Sequence, residues 1–535
     1  MPAGSGAGGV RAGEVIRSVP AGLRRVVVVL LALLATLWVS AGYASAHASL
    51  VGTDPAYGAS VAEAPAQVSV TFDESVTAAD SGVTVVGTDG ARVDTGGVSS
   101  ADGGHTVRVG LPTELPVGTY LLSWVVLSAD GHTIGGSSVF GVGVPPDLTL
   151  GDPPRDPLVA ALDTVVRILT ALGYFGVVLG VGVPAVAWLT WRAGVRTPIV
   201  VQSARTGAGL IAVTALLILA VTPARLIGAS GWTDPAVWEQ TFGSSPGVAA
   251  LLRAAAAAAL AIAYPRLRVA GPAAAVLLLA TAAGGHGVAG ADRVVALLST
   301  TAHLAAMSVW VGGVVLAVVV WRDPERTRLL AGFGRVALGA VAVLLLTGTY
   351  QAIRSIDPLA ALWTTSWGRL LLLKLALVLA AFGTVLVVRA RAGTTALRAE
   401  FALQAAALVV TAALAGVTPA RDSYDPPSTI VAAVGPLRAT LAVDGAGAGE
   451  QELTLRLRDA QGNPTGAARV SARLTRGDTG PIDLPFRRVD PIELGPNYFV
   501  SQSVRVPTAG QWQLLLTVTV DRTTAYTATV PYRVW

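Results

Sequence analysis

The chain has 535 residues, of which 53% are hydrophobic and 13% charged, a proportion that excludes a soluble protein of this length and predicts several membrane-associated domains. The net charge of +5, with arginines placed beside apolar runs, excludes a nucleic-acid-binding surface. The absence of cysteine excludes disulfides, thiolate metal sites and cysteine nucleophiles.

Residues 1–46 have the features of a secretory signal peptide. Arginines precede the apolar run 26–40, and the small residues Ala44 and Ala46 follow it. A basic segment, a short apolar run and an A-x-A site in this order predict cleavage after Ala46. Cleavage would make His47 the first residue of the mature protein. The alternative is an uncleaved membrane anchor, for which the apolar run is short.

Residues 47–146 predict a small antiparallel β-sandwich of the immunoglobulin-like type, or a barrel. Short segments rich in valine, threonine and aromatic residues are separated by glycine-containing turns. A proline-rich linker, 147–157, follows this domain. The predicted strands are 67–72, 82–87, 105–111, 118–128 and 136–144.

The segment SADGHTIGG, residues 128–136, contains candidate metal ligands. Asp130 and His132 are two residues apart, and on an extended segment such side chains lie on one face. A carboxylate and an imidazole suit Cu(II) or Zn(II), and a free N-terminal His47 would add its α-amine and its ring nitrogen. Three nitrogens and one oxygen in a tetragonal set favour Cu(II). The alternative is that Asp130-Gly131-His132 is a plain turn.

Two stretches resemble the CopC family of periplasmic copper-binding proteins. They are HASLVGTDPAYGASV, which starts at His47, and PVGTYLLSWVVLSADGHTIGGSSVFGV, which starts at Pro116. The resemblance implies that His47, Asp130 and His132 are Cu(II) ligands. Some CopC proteins also have a methionine-rich Cu(I) site, but this chain has only two methionines, so that site does not carry over. His105 matches no ligand, and we expect a solvated residue at a strand start.

Residues 158–419 predict a polytopic helical membrane bundle. About eight apolar stretches have close to the ~20 residues needed to cross a bilayer. They are 163–189, 206–222, 247–264, 269–287, 294–320, 336–353, 370–388 and 401–418.

The loops between these stretches predict the orientation of the chain. Arginines collect in 192–205, 322–335 and 389–398, whereas 228–247 has neither lysine nor arginine. Because basic loops stay in the cytoplasm, the first domain lies outside, and an even number of spans returns the C-terminus outside. We therefore expect a multi-pass protein of a bacterial plasma membrane.

Two histidines lie within predicted spans, His286 at the outer end of the fourth and His303 inside the fifth. Polar side chains within spans are costly and mark functional sites. His303, Met307 and Trp310 are spaced i, i+4 and i+7, so they share a helix face. We predict a metal relay through these four residues. The alternatives are an interfacial His286 and a His303 that only forms a hydrogen bond between helices.

Two further stretches resemble the CopD family of copper-resistance membrane proteins. HLAAMSVWVGG, residues 303–313, and SWGRLLLLK, residues 366–374, match its signatures. The acidic residue common near the start of the last span in that family corresponds to Glu400, although Gln404 is the more internal residue. Lys374 is expected to reach the membrane surface or to pair inside the bundle. A CopC-like part followed by a CopD-like part implies copper handling and copper uptake.

Residues 427–535 alternate again and predict a second extracellular β-sandwich. This part contains no histidine, cysteine or methionine. We therefore expect a packing or docking module rather than a metal site.

Together these patterns predict binding of copper ion at the outer face and copper transport, in the direction of import, across the lipid bilayer. One alternative is a membrane redox protein in which His286 and His303 hold haem or reduce copper. Another is a copper-sensing or resistance scaffold without transport. No nucleophile and base of the hydrolase type are found, so we do not expect an enzyme. Protein partners stay open.

Overall fold

The computed structural model describes most of the chain. The described residues are 48, 50–129, 131, 133–147, 156–284, 292–321, 326–391, 394–476, 479–489, 498–506 and 509–535. They form a β-sandwich, a helical bundle and a second pair of β-sheets, in that order, which confirms the predicted fold class. The predicted signal peptide and four candidate ligands, His47, Asp130, His132 and His286, lie outside the described residues.

The first sandwich consists of two four-stranded sheets, with strand orders β1-β3-β6-β5 and β2-β8-β7-β4. Its strands are β1 (Leu50–Asp54), β2 (Ser60–Val61), β3 (Gln67–Phe72), β4 (Val76–Gly87), β5 (Ser99–Ala101), β6 (Thr106–Gly110), β7 (Gly118–Ser128) and β8 (Thr133–Val142). Alternate residues of β3, Val68, Val70 and Phe72, are buried between the sheets, as the period-two pattern predicts. On the other sheet, the rings of Tyr120 and Phe140 stack with centroids 5.7 Å apart.

The predicted strand 82–87 is longer in the structure, because β4 starts at Val76. Val76 and Ala78 pair with Ser128 and Val126 of β7, and a bulge separates this pairing from that of Val83. The bulge interrupts the alternation, which hides the first half of the strand in the sequence.

The helical part contains eleven α-helices among the described residues. They are α1 (Pro157–Val177), α2 (Val183–Thr190), α3 (Pro198–Ile227), α4 (Pro235–Gly243), α5 (Ser245–Ala263), α6 (Leu267–Ala283), α7 (Arg293–Val319), α8 (Arg326–Ser355), α9 (Ala361–Thr364), α10 (Ser366–Arg391) and α11 (Thr394–Ala415). A π-helical turn, Val178–Gly182, joins α1 to α2.

Seven helical segments in the described part of the chain are long and apolar enough to cross a membrane. They are Pro157–Thr190, Pro198–Trp232, Ser245–Ala263, Arg293–Val319, Gly332–Ser355, Ser366–Thr384 and Arg398–Ala415. The remaining predicted span, 269–287, corresponds to α6, which has 17 residues. At about 1.5 Å per residue, α6 is slightly short of a 30 Å hydrocarbon core.

Three helical segments meet at backbone contact, in a region that we call the glycine crossing (Gly180, Gly182, Gly207 and Gly312). A Cβ atom added at Gly207 would overlap the backbone of Gly180, and one added at Gly182 would overlap the carbonyl of Ser308. Only glycine permits this approach between the π-helical turn, α3 and α7.

The second sandwich consists of two sheets, with strand orders β14-β15-β11-β10-β9 and β13-β12-β16-β17. Its strands are β9 (Ser428–Val434), β10 (Leu437–Asp444), β11 (Gly449–Arg458), β12 (Arg469–Arg476), β13 (Thr479–Pro485), β14 (Arg487–Arg488), β15 (Tyr498–Val506), β16 (Gly510–Thr519) and β17 (Ala525–Val534). Trp512 is the largest side chain buried in its core.

Candidate functional site: a cavity between the first sandwich and the helices

A cavity of about 1320 Å³ lies between the first sandwich and the helical bundle. Ala48, Gly131 and Thr133 of the sandwich line its outer end. Helices α1, α3, α5, α7, α8, α10 and α11 contribute to its walls. Val177 and Val311 line it next to the glycine crossing. The cavity therefore connects the first sandwich with the inside of the bundle.

The outer end of the cavity is formed by the chain neighbours of three predicted ligands. Ala48 follows His47, and Gly131 and Thr133 flank His132 in the sequence. Two distant parts of the first sandwich, its beginning and the connection from β7 to β8, thus line the same cavity. In the described residues, no group of three or more histidine, cysteine, aspartate or glutamate side chains could hold a metal ion.

The connection between β7 and β8 is a turn at Gly131. The N–H group of Gly131 donates to the carbonyl of Ser128 at 3.0 Å, and its φ of 89° lies in the left-handed region that favours glycine. The backbone at Gly131 itself is therefore a turn and not extended. Asp130 and His132 lie outside the described residues, so their assignment as ligands stays a prediction.

Arg225, at the end of α3, ties this turn to the bundle. Its Nε atom donates to Oδ1 of Asp163 in α1 at 2.8 Å, and its Nη1 atom donates to the carbonyl of Gly131 at 3.3 Å. Arg225 is 5% exposed, so water competes little for either bond. Beside it, Ala79 and Leu127 of the sandwich belong to one apolar cluster with Leu226 of α3. The sandwich is thereby held over the cavity.

His303 lines the cavity from α7, and a hydroxyl group fixes its ring. Nδ1 of His303 lies 2.8 Å from Oγ1 of Thr347 in α8. That hydroxyl donates its single hydrogen to the carbonyl of Val343 at 2.6 Å, so it must accept from the imidazole. The proton is therefore on Nδ1, and Nε2 keeps the lone pair that a metal ion needs.

Met307 and Trp310 line the same wall of α7, one and two turns after His303. The ring of Trp310 stacks on Phe382 of α10, with centroids 5.0 Å apart. Met307 is half-buried and packs beside Val178 and Leu408. The structure thus brings together three of the four residues predicted for the relay. The fourth, His286, lies outside the described residues, although Gly284 lines the cavity.

The sequence profile of the CopC domain matches residues 50–143, and that of copper resistance protein D matches residues 327–418. The chain joins a CopC domain to a CopD domain. The CopC match covers the first sandwich, and the CopD match covers α8 to α11. His303 lies before the CopD match, on the neighbouring helix α7. With the seven long apolar helices, the CopD domain makes the chain a multi-pass membrane protein.

Similar proteins cover most of the chain or its smaller parts. The copper transport protein CutJ of Bacillus subtilis (strain 168) is 27% identical over 458 residues, which are 78% of this chain and 83% of CutJ. The crystal structure of CopC from Methylosinus trichosporium OB3b is 28% identical and covers 20% of this chain and 100% of that protein, with a TM-score of 0.17. PcoC, a methionine-rich copper resistance protein from Escherichia coli, is 24% identical and covers 18% of this chain and 98% of that protein, with a TM-score of 0.16.

Within the CopD domain, the structure separates the two candidates for the acidic position. Gln404 lines the cavity, whereas Glu400 lies behind it and accepts a hydrogen bond from Nε2 of Gln404 at 3.3 Å. Lys374 also lines the cavity. Of the two predicted destinations for Lys374, the structure favours the inside of the bundle.

Sequence reasoning missed the polar groups that support the site. Arg225 and Asp163 are 62 positions apart, and Thr347 follows His303 by 44 positions. The signal that could have found Arg225 is its charge beside the apolar stretch 206–222, close to a loop with no other basic residue. A threonine within a span gives no such signal, because it commonly bonds to its own helix.

Proposed function

We propose that this protein captures copper on its CopC domain and imports it through the cavity toward the helices of its CopD domain. One observation carries this proposal. A single cavity is lined by Ala48 and Gly131, beside the predicted outer ligands, and by His303 inside the bundle. The CopC and CopD matches and the likeness to a copper transport protein support copper as the cargo.

Capture takes place at a Cu(II) site made of His47, Asp130 and His132. Signal cleavage after Ala46 frees the α-amine of His47, which closes a chelate ring with the imidazole of the same residue. The resulting three nitrogens and one oxygen suit Cu(II) in a tetragonal arrangement. Both β-sandwiches then lie on the extracytoplasmic side, in agreement with the basic inner loops.

Transfer uses the lone pair on Nε2 of His303 and the thioether of Met307 one turn further in. Imidazole suits Cu(II) and thioether suits Cu(I), so this wall accepts either oxidation state. His286, near the outer surface in the sequence, is the entry ligand. The chain moves a metal ion and catalyses no covalent reaction.

The test is copper accumulation in cells that express the wild type, His303→Ala or no protein. Cells with the wild type should accumulate more copper than cells without it, and His303→Ala should lose this gain at normal membrane levels. The matched control is His105→Ala, because His105 lies directly before β6 with its ring beside the carbonyl of Phe72 and does not line the cavity.

Two results would contradict the proposal. If His303→Ala accumulates copper like the wild type, His303 only packs against α8. If the wild type lowers cellular copper, the direction is export. A Soret band in the purified wild type would instead support the haem alternative.

A further inference from the structure

The cavity is lined by more positive than negative side chains. Six basic residues contribute to its lining: Arg167, Arg225, Arg253, Arg354, Lys374 and Arg421. Two acidic residues do so: Asp163 and Asp422. A bare copper cation would enter a region that already repels it.

Three of the basic residues have acidic neighbours. Arg225 pairs with Asp163 at 2.8 Å. Arg354 of α8 pairs with Asp292 at 2.9 Å, and both side chains are 7% exposed. Arg421 lies 3.9 Å from Asp422. These three charges are therefore balanced within the protein.

The other three, Arg167, Arg253 and Lys374, have no carboxylate partner in the described part of the chain. Arg253 donates from Nε to the carbonyl of Ala249 in its own helix at 3.3 Å, and one of its terminal nitrogens lies near Gly284. The segment 285–291, which follows Gly284, contains no acidic residue in the sequence.

The surroundings of Arg167 and Lys374 do not balance their charges either. The side chain of Arg167 packs over Gly416, which has no side chain to offer. Glu400 is a buried acid on α11, but it bonds to Gln404 and does not line the cavity. Arg167 is exposed, whereas Arg253 and Lys374 are partly buried. Unpaired cations inside a membrane protein are expensive and usually serve a ligand.

The volume of the cavity leaves room for a ligand larger than a metal ion. A copper ion with six waters, at about 30 Å³ for each water, fills about 180 Å³. The cavity holds about 1320 Å³, which exceeds the roughly 300–1,000 Å³ of common small-molecule sites. The space therefore suits an organic molecule.

We propose that this cavity is a binding site for a small organic carboxylate, held by Arg253 and Lys374, with the exposed Arg167 in the same lining. The guanidinium group of Arg253 suits the paired oxygens of a carboxylate, and the ammonium group of Lys374 adds a point charge. Such an anion supplies the countercharge that the described residues do not provide.

The role of the anion rests on the proposed function, but its binding does not. A carboxylate that chelates copper brings the metal into the cavity as a neutral or negative complex, which the basic lining attracts. At His303, one copper–oxygen bond to the carboxylate breaks and one copper–nitrogen bond to Nε2 forms. The oxidation state of copper does not change in this exchange.

The test is equilibrium dialysis of radiolabelled citrate, without copper, against the full chain in phosphatidylcholine nanodiscs. The wild type should bind citrate, and Arg253→Gln and Lys374→Met should each bind it about ten-fold more weakly or worse. Arg268→Gln, at an exposed arginine in α6, is the matched control and should bind like the wild type. Arg253→Lys, which keeps a cation, should recover part of the affinity and guards against misfolding of the glutamine variant.

His303→Ala separates this inference from the proposed function, because it should bind citrate normally even where copper accumulation is lost. Absence of citrate binding by the wild type would overturn the inference. So would binding by Arg253→Gln and Lys374→Met that is as tight as binding by the wild type. Displacement of citrate by an equal concentration of inorganic phosphate would contradict the assignment of the ligand as a carboxylate. It would show that the site binds anions by their charge alone.

Discussion

The two β-sandwiches of this chain have the same architecture but meet the helices in different ways. The first contacts the bundle through Arg225, whose side chain bonds to Asp163 and Gly131. The second follows the bundle through residues 416–427, where Tyr424 packs edge-on against Trp535 at 5.3 Å. The first therefore lies over the cavity, whereas the second is attached at the end of the last helix.

The chemistry of the two domains differs as much as their placement. The first contains three of the five histidines, and the second contains no histidine, cysteine or methionine. A shared fold thus says little about function, and the types of side chain that each domain contains say more. The following predictions test this difference between the two domains.

The largest effect is expected at the predicted metal ligands of the first sandwich. In the full chain loaded with one equivalent of copper, His132→Ala should remove the tetragonal Cu(II) signal from the electron paramagnetic resonance spectrum, because one of four ligands is lost. Arg488→Ala, in the second sandwich, should leave the spectrum unchanged. A spectrum that is the same in His132→Ala and the wild type would contradict the assignment.

The mature N-terminus gives a direct check of the same site. N-terminal sequencing of the exported protein should read His47-Ala48-Ser49, because the A-x-A site ends at Ala46. A start at any other residue would remove the amine ligand, and the proposed Cu(II) site would then be wrong.

The next effect is expected at Thr347. Thr347→Val keeps the shape of the side chain but removes the acceptor that holds the proton on Nδ1 of His303. Copper accumulation should fall about 10- to 100-fold, as is usual when the partner of a metal-binding histidine is lost. Thr347→Ser keeps the hydroxyl and should stay close to the wild type. Equal accumulation by the valine and serine variants would show that the hydrogen bond has no role.

A smaller effect is expected at the contact between the first sandwich and the helices. Arg225→Met leaves Asp163 without its partner and should destabilise the docked domain by about 1–3 kcal/mol. The Cu(II) spectrum should persist while copper accumulation falls, because capture is intact and transfer is impaired. The matched control is Arg473→Met in the second sandwich, whose pair with Asp483 is exposed and contributes little. Loss of the Cu(II) spectrum in Arg225→Met would place Arg225 in capture instead.

The smallest effect is a pH dependence of the first sandwich at Asp94. Burial raises the pKa of this carboxyl, but hydrogen bonds from Arg92, Val85 and Gly96 outweigh it, so the pKa lies below the ordinary value of 3.8. Because the pKa of Asp94 is lower in the folded than in the unfolded state, the carboxylate stabilises the domain at pH values above its ordinary pKa. This stabilisation is lost as the pH falls through the folded-state pKa. Asp94→Asn should therefore show a smaller drop in Tm on acidification, measured by scanning calorimetry. A drop as large as that of the wild type would exclude Asp94 as its source.

The sequence alone was sufficient to predict those helices and strands whose pattern is local. The apolar stretches predict the spans because crossing a bilayer requires about 20 apolar residues in succession. The strand 118–128 has the same bounds in β7, since its alternation is uninterrupted. The short strands β1 and β5 escaped prediction because none of their residues is buried and they lack a clear alternation.

The sequence alone was not sufficient to predict those parts of the candidate site that depend on contacts between distant residues. It singles out His303 as a histidine within a span, but not the hydroxyl that fixes its tautomer on another helix. It marks Lys374, but not that Arg167 and Arg253 line the same cavity. Such groups come together only when the helices pack, and their spacing in the sequence does not predict this contact.

The glycine crossing has an electrical consequence. Helices at backbone contact leave no gap for a file of water molecules, and the cavity is lined by Val177 and Val311 next to this contact. An elementary charge that moves across a membrane potential of 100 mV changes its energy by about 2.3 kcal/mol. A charge that crosses the membrane therefore finds no water-filled path between the π-helical turn, α3 and α7.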